Sequence, residues 1–166
     1  MNIIETIPDS ERMGLIDAVA RDAAQYLGLN LEVNTSLEIM EKLNATITNL
    51  VHDQPLELPE GEEPDLLLGC LWGAQMQREF NWYWADVVID NDVKEIAIVS
   101  PQQEMIIFPL SFVGACIQKQ CICTVLLAFN MLMKKEGFDE LKPSEYENIM
   151  LNIHHIVPPY SLQKIG

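Results

Sequence analysis

The segment from residue 65 to residue 108 constrains the fold most, because a helical pattern containing two glycines runs directly into three short strand patterns. Its apolar residues first recur at helical spacing, at Leu67, Cys70, Leu71 and Ala74. Gly69 and Gly73 are four residues apart, so a helix places both on one face. Each glycine costs a helix interior about 1 kcal/mol relative to alanine. We therefore predict that this face lets another element approach closely.

The three strand patterns lie at residues 82–89, 96–99 and 105–108, where aromatic and β-branched residues predominate. Asp90, Asn91 and Asp92 are turn residues between the first two patterns. The connections are too short for crossover helices. The sequence therefore predicts an antiparallel meander.

Residues 9–51 predict two amphipathic helices joined by a short strand. Gly28 is placed to end the first helix, and Thr35 or Ser36 can cap the second. Between them, residues 29–33 alternate apolar and polar side chains, and this period of two predicts a fourth strand.

Residues 110–156 predict further helices, and the sequence leaves open whether 110–136 forms one helix or two. A last helix is expected from Pro143, followed by an extended tail at residues 157–166. Taken together, the patterns predict a single α+β domain over residues 1–166. It has a small, mainly antiparallel sheet of about four strands packed against several helices.

The charge of the chain is strongly asymmetric. The formal net charge is -15, and residues 1–63 contribute 13 acidic against 3 basic side chains. This field disfavours nucleic acid and anionic membrane as partners and permits a basic protein; the alternative is that charge serves solubility alone. Residues 52–64 form an acidic, proline-containing connector. The predicted partner-binding residues are Glu57, Glu60, Glu62, Glu63, Asp90 and Asp92.

No catalytic residue and no cofactor is predicted from the motifs. The connector carboxylates lack the spacing of a calcium loop, and Cys121-x-Cys123 lacks zinc or redox-pair spacing, so no metal site is predicted. All four cysteines are expected to be buried small hydrophobes. The adjacent His154 and His155 must point in different directions on a helix. The absence of a targeting signal or a long apolar run predicts a cytoplasmic protein. The oligomeric state stays open.

A pocket beside the glycine face is the alternative to close packing. It would be lined by Gly69, Gly73, Trp72, Trp84 and Asp86, and would bind a small molecule or support a reaction. Asp86 interrupts a strand pattern, so it either lies in water on an edge strand or is buried and needs a partner.

Two pieces of the chain carry a family resemblance. LNLEVNTSLEIMEKLNATI resembles a strand followed by a capped helix, and LLLGCLWGAQMQREFNWYW resembles a glycine-containing helix running into a tryptophan strand. In this order, over roughly residues 9–133, the chain resembles a group of small bacterial α+β domains of unknown function. Some of its members are suspected immunity proteins of toxin systems. The resemblance implies no catalytic residues.

Three functions are therefore carried forward. The first is a non-enzymatic, acidic protein-binding module, of the immunity or inhibitor type, that acts on a basic partner. The second is a small-molecule-binding domain or an enzyme with the glycine-face pocket. The third is a structural subunit of an oligomer.

Overall fold

The computed structural model describes residues 1–54, 58, 61–138 and 140–156, with residues 154–156 described by backbone alone. Over these residues the chain forms six helices and five strands. The helices are α1 (Ser10–Tyr26), α2 (Ser36–Val51), α3 (Pro64–Phe80), α4 (Pro109–Ile117), α5 (Val125–Lys134) and α6 (Ile149–Ile156). The strands are β1 (Ile3–Thr6), β2 (Tyr83–Ile89), β3 (Val93–Val99), β4 (Met105–Ile107) and β5 (Glu147–Asn148). The predicted tail at residues 157–166 lies outside the described residues.

The five strands form one sheet in the order β1-β2-β3-β4-β5. β1 to β4 pair antiparallel, and β5 pairs parallel with β4. The predicted α+β class and the meander of β2, β3 and β4 are thus confirmed. Asp90 and Asn91 have positive φ angles of 50° and 60°, as the tight turn between β2 and β3 requires.

The strand predicted at residues 29–33 was wrong, because this segment forms turns. The backbone N–H of Asn34 donates to the Asn30 carbonyl at 2.8 Å, and the Asn30 side chain accepts from Glu32 N–H at 2.9 Å. Arg78 of α3 then donates to the carbonyls of Leu31 and Asn34 at 3.3 and 3.0 Å. These local bonds use the groups that a strand ladder would need.

The strand that joins the meander on the β2 side is β1, in place of the strand predicted at residues 29–33. Ile3 faces Ile89 and Thr6 faces Asp86, so β1 covers one edge of β2. Asp86 consequently lies on an interior strand of the sheet and not on an edge. It is partly exposed and is paired with Arg12, so neither sequence alternative for Asp86 was right.

α3 is the central helix of the layer on one face of the sheet, and it packs against α1, α2 and α4. A Cβ built at Gly69 would lie 2.9 Å from the backbone N of Leu110. One built at Gly73 would stand within the indole of Trp84. The prediction of close approach at the glycine face is thus confirmed. Trp72 is fully buried and meets Phe112 edge-on, with ring centroids 5.7 Å apart.

α4 and α5 are separate helices, which answers the question left open for residues 110–136. The last helix begins at Ile149 and not at the predicted Pro143. Ser144 and Tyr146 have φ angles of 63° and 49°, values that a helix does not accommodate. Among the described residues, none of the helices has both the length and the apolar character that crossing a membrane requires.

Candidate functional site

The second face of the sheet carries its own apolar cluster, separate from the core under the helices. Paired residues in an antiparallel sheet share a face, so the cluster follows from the register of β2, β3 and β4. Its buried members are Ala85, Val87, Ala97, Val99, Ile106 and Phe108. This face is therefore apolar at its centre, and its polar groups lie around the rim.

The first polar group on this face is the carboxylate of Glu5. Its Oε1 accepts hydrogen bonds from the Tyr83 hydroxyl at 2.8 Å and from Gln103 Nε2 at 3.0 Å. Its Oε2 accepts from the Tyr146 hydroxyl at 2.9 Å. Burial, together with these bonds to the carboxylate, raises the pKa of both phenols. These hydrogen bonds connect β1 and β2 to the loop before β4 and to the loop before β5. They therefore link segments that are far apart in the sequence.

A cavity of about 490 Å³ lies at the other end of the same face, and we call it the sheet cavity. Its polar wall includes Glu95, Ser111 and Asn148, and the Ser111 hydroxyl donates to the Glu95 carboxylate. Its apolar wall includes Met1, Ile89, Phe108, Phe112, Ala115, Cys121, Met150 and Leu151. An apolar hollow with a few polar groups is the usual form of a small-molecule site. No sequence motif indicated it, because its walls come from both ends of the chain.

The six predicted partner-binding residues divide into three groups. Glu57 and Glu60 lie outside the described residues. Glu62 and Glu63 are exposed just before α3 begins, where the positive helix end favours negative charge. Asp90 and Asp92 are exposed in the turn between β2 and β3. The Asp90 carboxylate accepts from the backbone N–H of Asn2 at 2.6 Å.

The described acidic residues of this prediction lie at one end of the molecule. Only Asn81 and Trp82 separate α3 from β2, and Gly73 of α3 contacts Trp84 of β2, so the chain folds back and the start of α3 lies toward the end of β2. Asp65 and Ser111 line the same surface hollow, and the Ser111 hydroxyl donates a hydrogen bond to Glu95 of β3. We call this region the acidic end and define it by one set of residues: Glu62, Glu63, Asp65, Asp90, Asp92 and Glu95.

No cation neutralises the acidic end through an ion pair in the described part of the chain. The two ion pairs found there join Arg12 to Asp86 at 2.7 Å and Lys119 to Asp53 at 3.2 Å. The negative field extends toward α1. Partial burial and the carboxylates of Glu62 and Asp22 raise the pKa of the Tyr26 phenol. A partner reaching this surface would therefore meet carboxylates that form no ion pair within the described residues, with the exposed Lys94 between Asp92 and Glu95 in the sequence.

The five residues of the predicted glycine-face pocket lie in different surroundings. Leu110 and Trp84 occupy the space beside Gly69 and Gly73, and both Trp72 and Trp84 are buried in the core. Asp86 lies apart from them, in an open surface groove of about 520 Å³ with Arg12. Arg12 binds both carboxylate oxygens of Asp86, at 2.7 to 3.1 Å.

Three of the four cysteines lie together; Cys70, Cys116 and Cys121 are buried as predicted, and Cys123 is half-buried. Cys116 Sγ is 3.6 Å from Cys121 Sγ, and Cys123 Sγ donates to Asn44 Oδ1 at 3.2 Å. Cys70 is buried separately, and burial raises its pKa to about 11. No group of metal-ligating side chains suited to hold an ion occurs among the described residues. The side chains of His154 and His155 lie outside them.

Comparison of the chain with family models, curated proteins and solved structures gave no match.

Proposed function

We propose that this protein is a non-enzymatic protein-binding module, of the immunity or inhibitor type, that binds a basic partner through the acidic end. The carrying observation is the set of exposed carboxylates at the start of α3 and in the β2–β3 turn. None of these is in an ion pair within the described residues. Such a surface attracts a basic protein over distances near the Debye length and speeds its association at low salt.

The anchoring of α3 and of Asp90 supports the same proposal. Glu62 and Glu63 are followed at once by α3, whose packed glycine face fixes its position on the sheet. Asp90 is tied to Asn2 by two hydrogen bonds, of 2.6 and 2.8 Å. The Asp90 carboxylate is therefore held in place before association and loses little entropy on binding, which favours a specific partner over diffuse attraction.

The test compares two variants of equal charge. One carries Glu62→Gln, Glu63→Gln and Asp92→Asn at the acidic end. The control carries Glu136→Gln, Glu140→Gln and Glu145→Gln, which are also exposed but follow the C-terminal end of α5. Each variant brings the net charge from -15 to -12 by the removal of three carboxylates.

Calorimetry against the products of neighbouring genes, at low and at physiological salt, measures the effect. We expect the first variant to weaken binding about tenfold or more, which corresponds to about 1.4 kcal/mol, and the control to bind like the wild type. The proposal would be contradicted if the affinity of the partner did not change with salt concentration and was equal for the two variants.

A second candidate function rests on the sheet cavity, whose volume of about 490 Å³ falls within the range of small-molecule sites. Its occupant would be a small apolar molecule with one polar end directed at Asn148 or Glu95. Fluorescence of the uncharged dye Nile red would detect it. Ala115→Trp, which fills the cavity from α4, should abolish the signal, whereas Ala18→Trp on the exposed face of α1 should not. Equal signals from the two variants would remove this candidate.

A further inference from the structure

The cysteine cluster beside the sheet cavity is built by the chain reversal that follows α4. Lys119 adopts the left-handed conformation, with φ 63°, and its N–H donates to the Cys116 carbonyl at 2.9 Å. The N–H of Gln120 donates to the Ala115 carbonyl at 2.9 Å. This reversal returns Cys121 to the end of α4, where its sulfur meets that of Cys116.

The two sulfur atoms are 3.6 Å apart, so they touch without being bonded. A disulfide bond is about 2.0 Å long, and the sulfurs must therefore approach by roughly 1.5 Å. Residues 118–124 belong to no helix or strand, so this segment can supply the movement without breaking an element. Cys123 is less well placed, because its sulfur is directed to Asn44 Oδ1 at 3.2 Å.

The two thiols differ in access and in acidity. Cys116 is fully buried, whereas Cys121 lines the sheet cavity, through which a small molecule can reach it. Hydrogen bonds within the cluster lower the pKa of Cys121 and of Cys123 and raise that of Cys116. Of the two acidified thiols only Cys121 both touches Cys116 Sγ and lines the cavity, so Cys121 is the attacking thiol, since the thiolate is the nucleophile, and Cys116 lies behind it.

We propose that Cys116 and Cys121 form a redox-active dithiol that is oxidised, through the sheet cavity, by small uncharged disulfides. The Cys121 thiolate attacks one sulfur of the small disulfide, forms a mixed disulfide, and releases one small thiol. Cys116 then attacks Cys121 Sγ, the Cys116–Cys121 bond forms, and the second small thiol leaves. The two protein thiols lose two electrons and two protons, and the small disulfide gains them as two thiols.

An uncharged reagent is the appropriate probe, because the net charge of -15 and Glu95 at the cavity wall repel anions. The reduced full-length chain is treated with bis(2-hydroxyethyl) disulfide, quenched by alkylation, and digested with trypsin. Cleavage after Lys94, Lys119 and Lys134 leaves Cys116 on one peptide and Cys121 with Cys123 on another. A Cys116–Cys121 bond therefore joins two peptides that mass spectrometry resolves.

We expect the joined peptides in the wild type, with Cys121 reacting at least about tenfold faster than the buried Cys70. In the matched variants, Cys123→Ser should still form the joined peptides, Cys121→Ser should not, and Cys116→Ser should retain the mixed disulfide on Cys121. The wild-type result requires no variant to fold. A persistent mixed disulfide in the wild type, joined peptides in Cys121→Ser, or equal reaction of Cys70 would each overturn the proposal.

Discussion

Gly73 of α3 lies against the indole of Trp84 in β2, so closely that a Cβ at Gly73 would be 2.9 Å from Cε2 and nearer still to two other ring atoms. Both residues are buried. The contact sets how closely the central helix lies on the sheet. It also explains why a helix tolerates a residue with a poor helix propensity at this position.

Gly73→Ala should destabilise the fold by about 1 to 3 kcal/mol, because overpacking a rigid core costs more than the gain in helix propensity returns. Urea denaturation measures the difference. Gly14→Ala in α1 is the matched control, since nothing lies within 4 Å of a Cβ there. It should raise stability by up to about 1 kcal/mol. If both variants are equally stable, the packing argument fails.

The ion pair between Arg12 and Asp86 should contribute little to stability despite its bidentate geometry. Its side chains are 50% and 37% exposed, so solvent screens the attraction. A double-mutant cycle of Arg12→Gln and Asp86→Asn should give a coupling energy below about 1 kcal/mol that decreases with salt. A coupling several times larger would mean that the sheet position of Asp86 is more desolvated than its exposure indicates.

Glu5→Gln should lower the pKa of the Tyr83 and Tyr146 phenols toward the ordinary value of a tyrosine, because a neutral amide replaces the carboxylate. Burial keeps part of the upward shift in the variant. Titration by near-ultraviolet absorbance measures the change. Glu11→Gln, which is exposed on α1, is the control of equal charge.

The same cluster makes stability depend on alkaline pH. A phenol whose pKa is raised in the folded state gives stability that is complete below about pH 10 and is lost as pH rises through the folded value. Between about pH 8 and about pH 11, the wild type should therefore lose more unfolding free energy than Glu5→Gln. Parallel losses in the two proteins would contradict this role of Glu5.

Glu38 should make the start of α2 sensitive to acid. Its pKa is lowered by hydrogen bonds from the backbone and side chain of Thr35, with which it forms a capping box. A carboxylate with a lowered folded pKa stabilises the protein above the unfolded value of about 4.5 and loses this effect as pH falls through the folded value. The stability difference between wild type and Glu38→Gln should shrink from about pH 7 to about pH 3. Glu41→Gln, outside the capping box, is the control, and the same trend in both variants would argue against a specific cap.

Local patterns were sufficient to predict most of the fold. The spacing of apolar residues located α1, α2 and α3, and the turn residues Asp90 to Asp92 located the hairpin of β2 and β3. The glycine pair in α3 correctly indicated a close contact. In each case the signal lies within a few residues of the element that it specifies.

The failures came from interactions between distant residues. β1 has four residues, and its partner β2 begins at Tyr83, so no local pattern reveals the pairing. The alternation at residues 29–33 is typical of a strand, but Arg78 donates hydrogen bonds to the carbonyls of Leu31 and Asn34. The sheet cavity and the contact of Cys116 with Cys121 depend on chain reversals whose outcome only tertiary packing fixes. The Cys-x4-Cys spacing was the one sequence signal of that contact.

The pairing of β1 with β2 also bears on synthesis of the chain. During translation, residues 3–6 emerge long before the strand they join, which is completed only at Ile89. Until then the nascent chain can form helices but no sheet, and the backbone of Ile4 has no neighbouring strand with which to pair. Residues 3–6 therefore remain an unpaired strand on the nascent chain, where a chaperone could shield them, and a slowly translated message would prolong that interval.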